Sequence, residues 1–137
     1  VSSGPESVSP DGAARLLEEL AEMHVRYADP ARRRAEAAFV APPDPPSDYG
    51  TKRLAFALEE RRAGFGDAFA AASQLYIDHQ AACHALWSAG PATVIHGDCH
   101  IGNLFFEGRR AGLLDWGMIL LSTPLRDASY LIQMTLS

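Results

Sequence analysis

A chain of 137 residues with a formal net charge of −5, 47% hydrophobic and 21% charged residues has the composition of one globular domain with a modest core, which excludes a disordered tail or a fibrous repeat. The acidic balance argues against a nucleic-acid partner, whose phosphates are held by clustered Lys and Arg. No apolar run approaches the ~20 residues of a membrane span, the N-terminal stretch from Val1 lacks a signal peptide's regions, and Cys83 and Cys99 make no disulfide framework, so a cytoplasmic protein without a membrane partner is expected.

Ser9-Pro10-Asp11 supplies an N-cap, a proline for the first helical position and an acidic first turn. Leu16, Leu17, Leu20, Met23, His24 and Tyr27 then recur at helical spacing, predicting a helix to about Ala28 that Asp29-Pro30 ends. A short Ala/Arg/Glu-rich stretch follows, and its basic cluster Arg32-Arg33-Arg34 reads as a solvated helix face. Pro42-Pro43-Asp44-Pro45-Pro46 is a loop or linker. Thr51 to Ala63 is helical in composition, and Gly64-Phe65-Gly66 punctuates it. Phe69, Ala72, Leu75, Tyr76, His79, Cys83, Leu86 and Trp87 mark an apolar stripe, predicting one long amphipathic helix from Asp67 to Ser88 that Gly90-Pro91 terminates.

After Pro91 the period changes. Thr93-Val94-Ile95 and Leu104-Phe105-Phe106 read as short strands flanking a polar loop. Glu107-Gly108-Arg109-Arg110 makes a turn into a third strand, Ala111 to Leu114, and a helix is predicted from Asp127 to Leu136 after Pro124.

The polar loop carries the chemistry. Phosphoryl transfer needs an acceptor hydroxyl held in line and Mg²⁺ to neutralise phosphate oxygens, and Mg²⁺ takes hard oxygen ligands. Protein kinases meet both needs with a catalytic-loop Asp, an Asn five positions later and the Asp of a following Asp-Phe-Gly turn. Here Asp98 and Asn103 have that spacing in His96-Gly97-Asp98-Cys99-His100-Ile101-Gly102-Asn103, and Asp115-Trp116-Gly117 follows the predicted hairpin. An aromatic at Trp116 is expected to anchor the turn in the core, and Gly117 to let the chain leave at an unusual φ.

HGDCHIGN followed by LLDWG resembles the aminoglycoside phosphotransferase and choline kinase-like family, with its ecdysteroid kinase-like branch looking closest. The specific match runs from Val94 to Tyr130, and Leu20-Ala21-Glu22-Met23-His24 resembles the helix after that family's interlobe hinge. The resemblance implies an α+β, mostly helical fold: part of the C-terminal lobe of the protein-kinase-like fold, with a small antiparallel β-sheet carrying the catalytic loop. It implies an ATP-dependent kinase acting on a hydroxyl of a small molecule. Asp98 would accept the hydroxyl proton, His96 would brace the catalytic loop, Asn103 and Asp115 would hold Mg²⁺ and nucleotide, and Gly97, Trp116, Gly117 and Asp127 would give structural support. Asp127 at that place can accept hydrogen bonds from loop amides and fix the Asp98 backbone.

Other readings compete. His96, Cys99 and His100 resemble part of a zinc cluster, yet a closed site wants four ligands and Cys83 lies on another predicted helix. Asp98-Cys99-His100 and Gly102-Asn103 resemble fragments of a calcineurin-like metallophosphoesterase, whose ligands are spread over several strand ends rather than overlapping in one loop. A pseudokinase or non-enzymatic binding module with the same fold is the main alternative. No Gly-rich phosphate loop or strand Lys with its helix Glu is recognisable, since Lys52 reads as a surface residue. The chain starts without Met and stops inside a predicted helix, so residues 1–137 are expected to be a partial catalytic lobe. The missing N-terminal lobe of the same protein would be its partner, and the chain alone would be inactive.

Overall fold

Helix α1 (Pro10–Arg26) begins where the sequence signals it: the Ser9 hydroxyl accepts a hydrogen bond from the Gly12 amide at 3.1 Å and Pro10 occupies the first turn. Its buried residues, Gly12, Ala13, Leu16, Leu20 and His24, fall on one face at three- and four-residue spacing. The computed structural model describes residues 8–42, 47–61, 64–108 and 110–135. The chain divides into one unit of Val1–Pro43 with Gly90–Ser137 and a second of Asp44–Ala89.

The first unit adds α2 (Pro30–Glu36), strands β1 (Thr93–Ile95), β2 (Leu104–Glu107), β3 (Arg110–Leu113) and β4 (Leu120–Ser122), and α6 (Pro124–Thr135). Strands β2 and β3 form the expected hairpin, with Leu104 opposite Leu113 and Glu107 opposite Arg110. Strand β1 pairs antiparallel with β4, Thr93 opposite Ser122 and Ile95 opposite Leu120. Among the described residues the β-structure is therefore two two-stranded ribbons. The main core packs Leu16 and Leu20 of α1 against Leu131 of α6, Leu104, Ala111 and Cys99. Each fully buried leucine there contributes about 1.5–3 kcal/mol. A smaller cluster joins Ala37, Val40 and Val94.

Several sequence expectations change here. Asp29-Pro30 ends α1's neighbourhood and also starts α2, the Asp29 carboxylate accepting from the Ala31 amide at 2.9 Å. Arg33 is not simply solvated. Its Nη1 donates to the carbonyl oxygens of Tyr27, Ala28 and Ala92 at 2.7, 2.8 and 2.8 Å, tying α2 to the chain entering β1. Helix α6 starts at Pro124 rather than Asp127, because proline suits a first helical turn. Pro43 to Pro46, Arg109 of the hairpin turn and Leu136 lie outside the described residues.

In the second unit, α3 (Tyr49–Arg61) matches the expected helix, and residues 62 and 63 lie outside the described residues. Lys52 pairs with Asp48 at 2.6 Å on its exposed surface. The predicted 67–88 helix is instead two, α4 (Asp67–Asp78) and α5 (Gln80–Trp87), broken at His79, where φ is −125° and ψ 29°. Of its apolar stripe, Phe69, Leu75, Leu86 and Trp87 are exposed.

Candidate active site

The polar loop leaves β1 through His96 and Gly97. Gly97 has φ +83°, and a Cβ there would run into the Met118 carbonyl oxygen and lie 2.7 Å from Leu120 Cδ2. Only glycine fits both the left-handed backbone and the close approach. His96 is fully buried. Its Nδ1 accepts from the Asp98 amide at 3.2 Å, which leaves Nε2 as the donor to the Leu114 carbonyl oxygen at 2.9 Å. One ring thus links the start of the loop to the residue before Asp115. With both nitrogens engaged, His96 has no lone pair to give a metal.

Asp127 of α6 is 1% exposed and gathers the loop around it. Its Oδ2 accepts from the His96 amide at 2.8 Å and its Oδ1 from the Gly97 amide at 2.8 Å. His24 Nε2 of α1 lies 3.0 Å from Oδ2. Burial is the largest influence on this carboxyl and pushes its pKa up. Hydrogen bonds from His24, the Gly97 and His96 amides and the Cys99 thiol outweigh it and hold the pKa below the usual carboxylate range. The Cys99 thiol is pushed far up, first by burial and then by the Asp127 charge, so it is no nucleophile. In the sequence His24 is only one member of the helical stripe of α1. A histidine on the buried stripe of α1 has to find a polar partner, and it finds Asp127. Thr93 completes the anchor, its hydroxyl donating to the His24 carbonyl oxygen at 2.7 Å.

Asp98 is partly exposed at the mouth of the loop. The Asn103 Nδ2 donates to the Asp98 carbonyl oxygen at 3.0 Å and to its Oδ2 at 3.2 Å, so the five-residue spacing closes the loop on itself. His100 Nε2 stands 3.5 Å from the same Oδ2. Tyr130 of α6 lies beside this carboxylate, its pKa raised first by burial and then by the Asp98 charge and a hydrogen bond to it. With its amide nitrogen committed to Asp98, Asn103 keeps its side-chain oxygen as a hard donor. The Leu114 amide bonds the Asn103 carbonyl oxygen at 2.7 Å, bringing Asn103 beside the strand end that leads to Asp115.

The Asp115-Trp116-Gly117 turn differs from expectation in two ways. Trp116 is not sunk in the core: it is 42% exposed, lies edge-on to His96 with centroids 4.6 Å apart, and donates from Nε1 to the Leu113 carbonyl oxygen at 3.2 Å. The left-handed residue is Asp115 at φ 56°, not Gly117. Asp tolerates that conformation better than most residues, and its Oδ1 accepts from the Gly117 amide at 3.3 Å. The Asp115 carboxylate is exposed. The Asn103 amide oxygen and the exposed Asp115 carboxylate are both hard oxygen donors, a chemistry that suits Mg²⁺ with its retained waters better than a thiol- or imidazole-loving metal.

No curated protein sequence matches the chain. Among solved structures, it is similar to the GDP complex of wild-type aminoglycoside 2'-phosphotransferase-IIIa, with a TM-score of 0.55 and 22% identity over 93% of this chain and 44% of that one. It is also similar to the apoenzyme of macrolide 2'-phosphotransferase MphH from Brachybacterium faecium, with a TM-score of 0.51 and 17% identity over 94% of this chain and 41% of that one. The chain thus spans less than half the length of either enzyme, with the fold of the matching part. A model of the phosphotransferase enzyme family matches residues 3–137, and with the loop, hairpin and Asp-Trp-Gly turn arranged as above, the chain belongs to that family.

Proposed function

We propose that the full-length protein is a kinase that moves the γ-phosphoryl group of a nucleoside triphosphate to a hydroxyl of a small molecule. The observation that carries this reading is the Asp98 carboxylate. It stands partly exposed on a loop whose amides are held by Asp127 and whose far end is closed by Asn103. Asp98 accepts the hydroxyl proton as the oxygen bonds to the γ-phosphorus and the bond to the β-phosphate oxygen breaks, releasing the diphosphate. Asn103 and Asp115 are the residues that would hold Mg²⁺, which supplies charge neutralisation at the phosphate oxygens when bound. His96 acts through its two hydrogen bonds, keeping Asp98 and the 114–115 backbone in one register.

ATP is the expected donor, and the GDP complex among the similar structures makes GTP the second to test. The aminoglycoside and macrolide phosphotransferases among them make hydroxylated compounds of those two classes the first acceptors to try. The ecdysteroid kinase-like branch rests on the motif alone. The test is transfer of labelled γ-phosphate to such an acceptor by the full-length protein with Mg²⁺ and ATP or GTP. Asp98→Asn should lower kcat by about a hundredfold or more. Nucleotide binding without transfer to any acceptor would favour the pseudokinase reading. Phosphodiester hydrolysis without a nucleotide would favour a metallophosphoesterase.

A further inference from the structure

His100 and Gly102 take no part in the reading above, although both belong to the loop. A Cβ on Gly102 would lie 2.8 Å from His100 Cε1 and 3.0 Å from Nδ1, so the imidazole occupies the space that a side chain at 102 would need. The Gly102 amide donates to His100 Nδ1 at 3.0 Å. That bond consumes the Nδ1 lone pair and leaves the proton of the neutral ring on Nε2. Nε2 is the atom that faces Asp98 Oδ2, 3.5 Å away, and Asn103 Nδ2 approaches the same oxygen at 3.2 Å.

We propose that His100 is a positioning residue for Asp98: Gly102 holds its ring as the Nε2–H form, and that N–H orients the Asp98 carboxylate together with the Asn103 amide. The proposal rests on Asp98 being the base. At 3.5 Å the contact is longer than a formed hydrogen bond, and His100 and Asp98 are 35% and 31% exposed. The N–H therefore orients the carboxylate rather than neutralising it. One oxygen of the Asp98 carboxylate is thereby approached by two donors.

The test has a structural and a kinetic arm, both on full-length protein. Long-range proton–nitrogen correlation spectra of histidine-labelled protein report which ring nitrogen carries the proton, whether or not an acceptor is known. The expected result is an Nε2–H ring at His100 that Gly102→Ala converts to a mixture of forms and Asp98→Asn shifts. A ring protonated on Nδ1, or one indifferent to Gly102→Ala, overturns the proposal. In the kinetic arm, His100→Ala should lower kcat about threefold, the size of a weak, longer-than-ideal N–H contact to a carboxylate, with the KM for nucleotide within about twofold. His100→Gln, which keeps an N–H, should recover most of the loss. A wild-type kcat in His100→Ala, or a Gln variant as slow as the Ala variant, overturns the proposal. Failure of Asp98→Asn to slow transfer would instead remove the base assignment, leaving the spectra to decide the ring's form independently.

Discussion

Replacing Asp127 by Asn keeps the shape of the side chain and removes its charge. The two loop amides sit on different oxygens, His96 on Oδ2 and Gly97 on Oδ1. Whichever way the new amide turns, one backbone N–H meets an NH₂ and is left unpaired in the interior. An orphaned buried donor costs about 1–3 kcal/mol, and the remaining bonds fall from charge-assisted to neutral strength, about 1 kcal/mol less each. The expected loss is about 3–5 kcal/mol, about a fifth or more of a typical domain's stability of about 5–15 kcal/mol. Urea unfolding of the full-length protein followed by near-UV circular dichroism measures it, with the midpoint falling by about 1 M or more at unchanged slope. A loss below about 1 kcal/mol would refute the claim that Asp127 holds the loop.

The same carboxylate sets a pH dependence. Its folded pKa is below its unfolded value, so its contribution is complete above the ordinary Asp pKa of about 3.9 and is lost as pH falls through the depressed folded value. Acid unfolding that begins below about pH 4 in the parent protein should be blunted in Asp127→Asn. Gly97→Ala should cost about 3 kcal/mol or more, because the left-handed backbone and the Met118 carbonyl leave no room. Gly112→Ala meets only the Phe105 ring at 2.5 Å, a 38%-exposed side chain that can swing away, and should cost under about 1 kcal/mol; parallel thermal melts separate the two. With Cys99 fully buried beside an anion and Cys83 only partly buried, a thiol reagent at neutral pH should modify Cys83 about a hundredfold faster. Equal rates by mass spectrometry would show that the loop opens readily. Arg33→Ala should cost about 1–2 kcal/mol by the same unfolding assay, since three carbonyl oxygens lose one donor.

What the sequence disclosed was local. Helix α1 carries its own cap, proline and apolar stripe, β1 and the β2–β3 hairpin are bounded by turn residues, and the spacing from Asp98 to Asn103 to Asp115 is written directly in the chain. What it hid depends on distant partners. Strand β4 is three residues long, and Leu120-Leu121-Ser122 becomes a strand only by pairing with β1, more than twenty residues earlier. No Gly or Pro marks the break at His79. His24 is separated from Asp127 by 103 residues, so no local pattern announces their bond. The glycine freedom expected at Gly117 is exercised at Gly97 and, without a glycine, at Asp115, because backbone conformation follows from the packing of the loop on β4 and the turn after β3.

Asp127 binds donors from α1, from the two residues that open the loop and from the loop's own cysteine. A growth selection on this protein would therefore score changes at His24, Thr93 or Asp127 as dead, although none of these side chains need touch an acceptor or a nucleotide. Abundance measured alongside fitness would sort the positions: variants of Asp98 should accumulate normally while inactive, whereas variants of the anchor should vanish from the soluble fraction first.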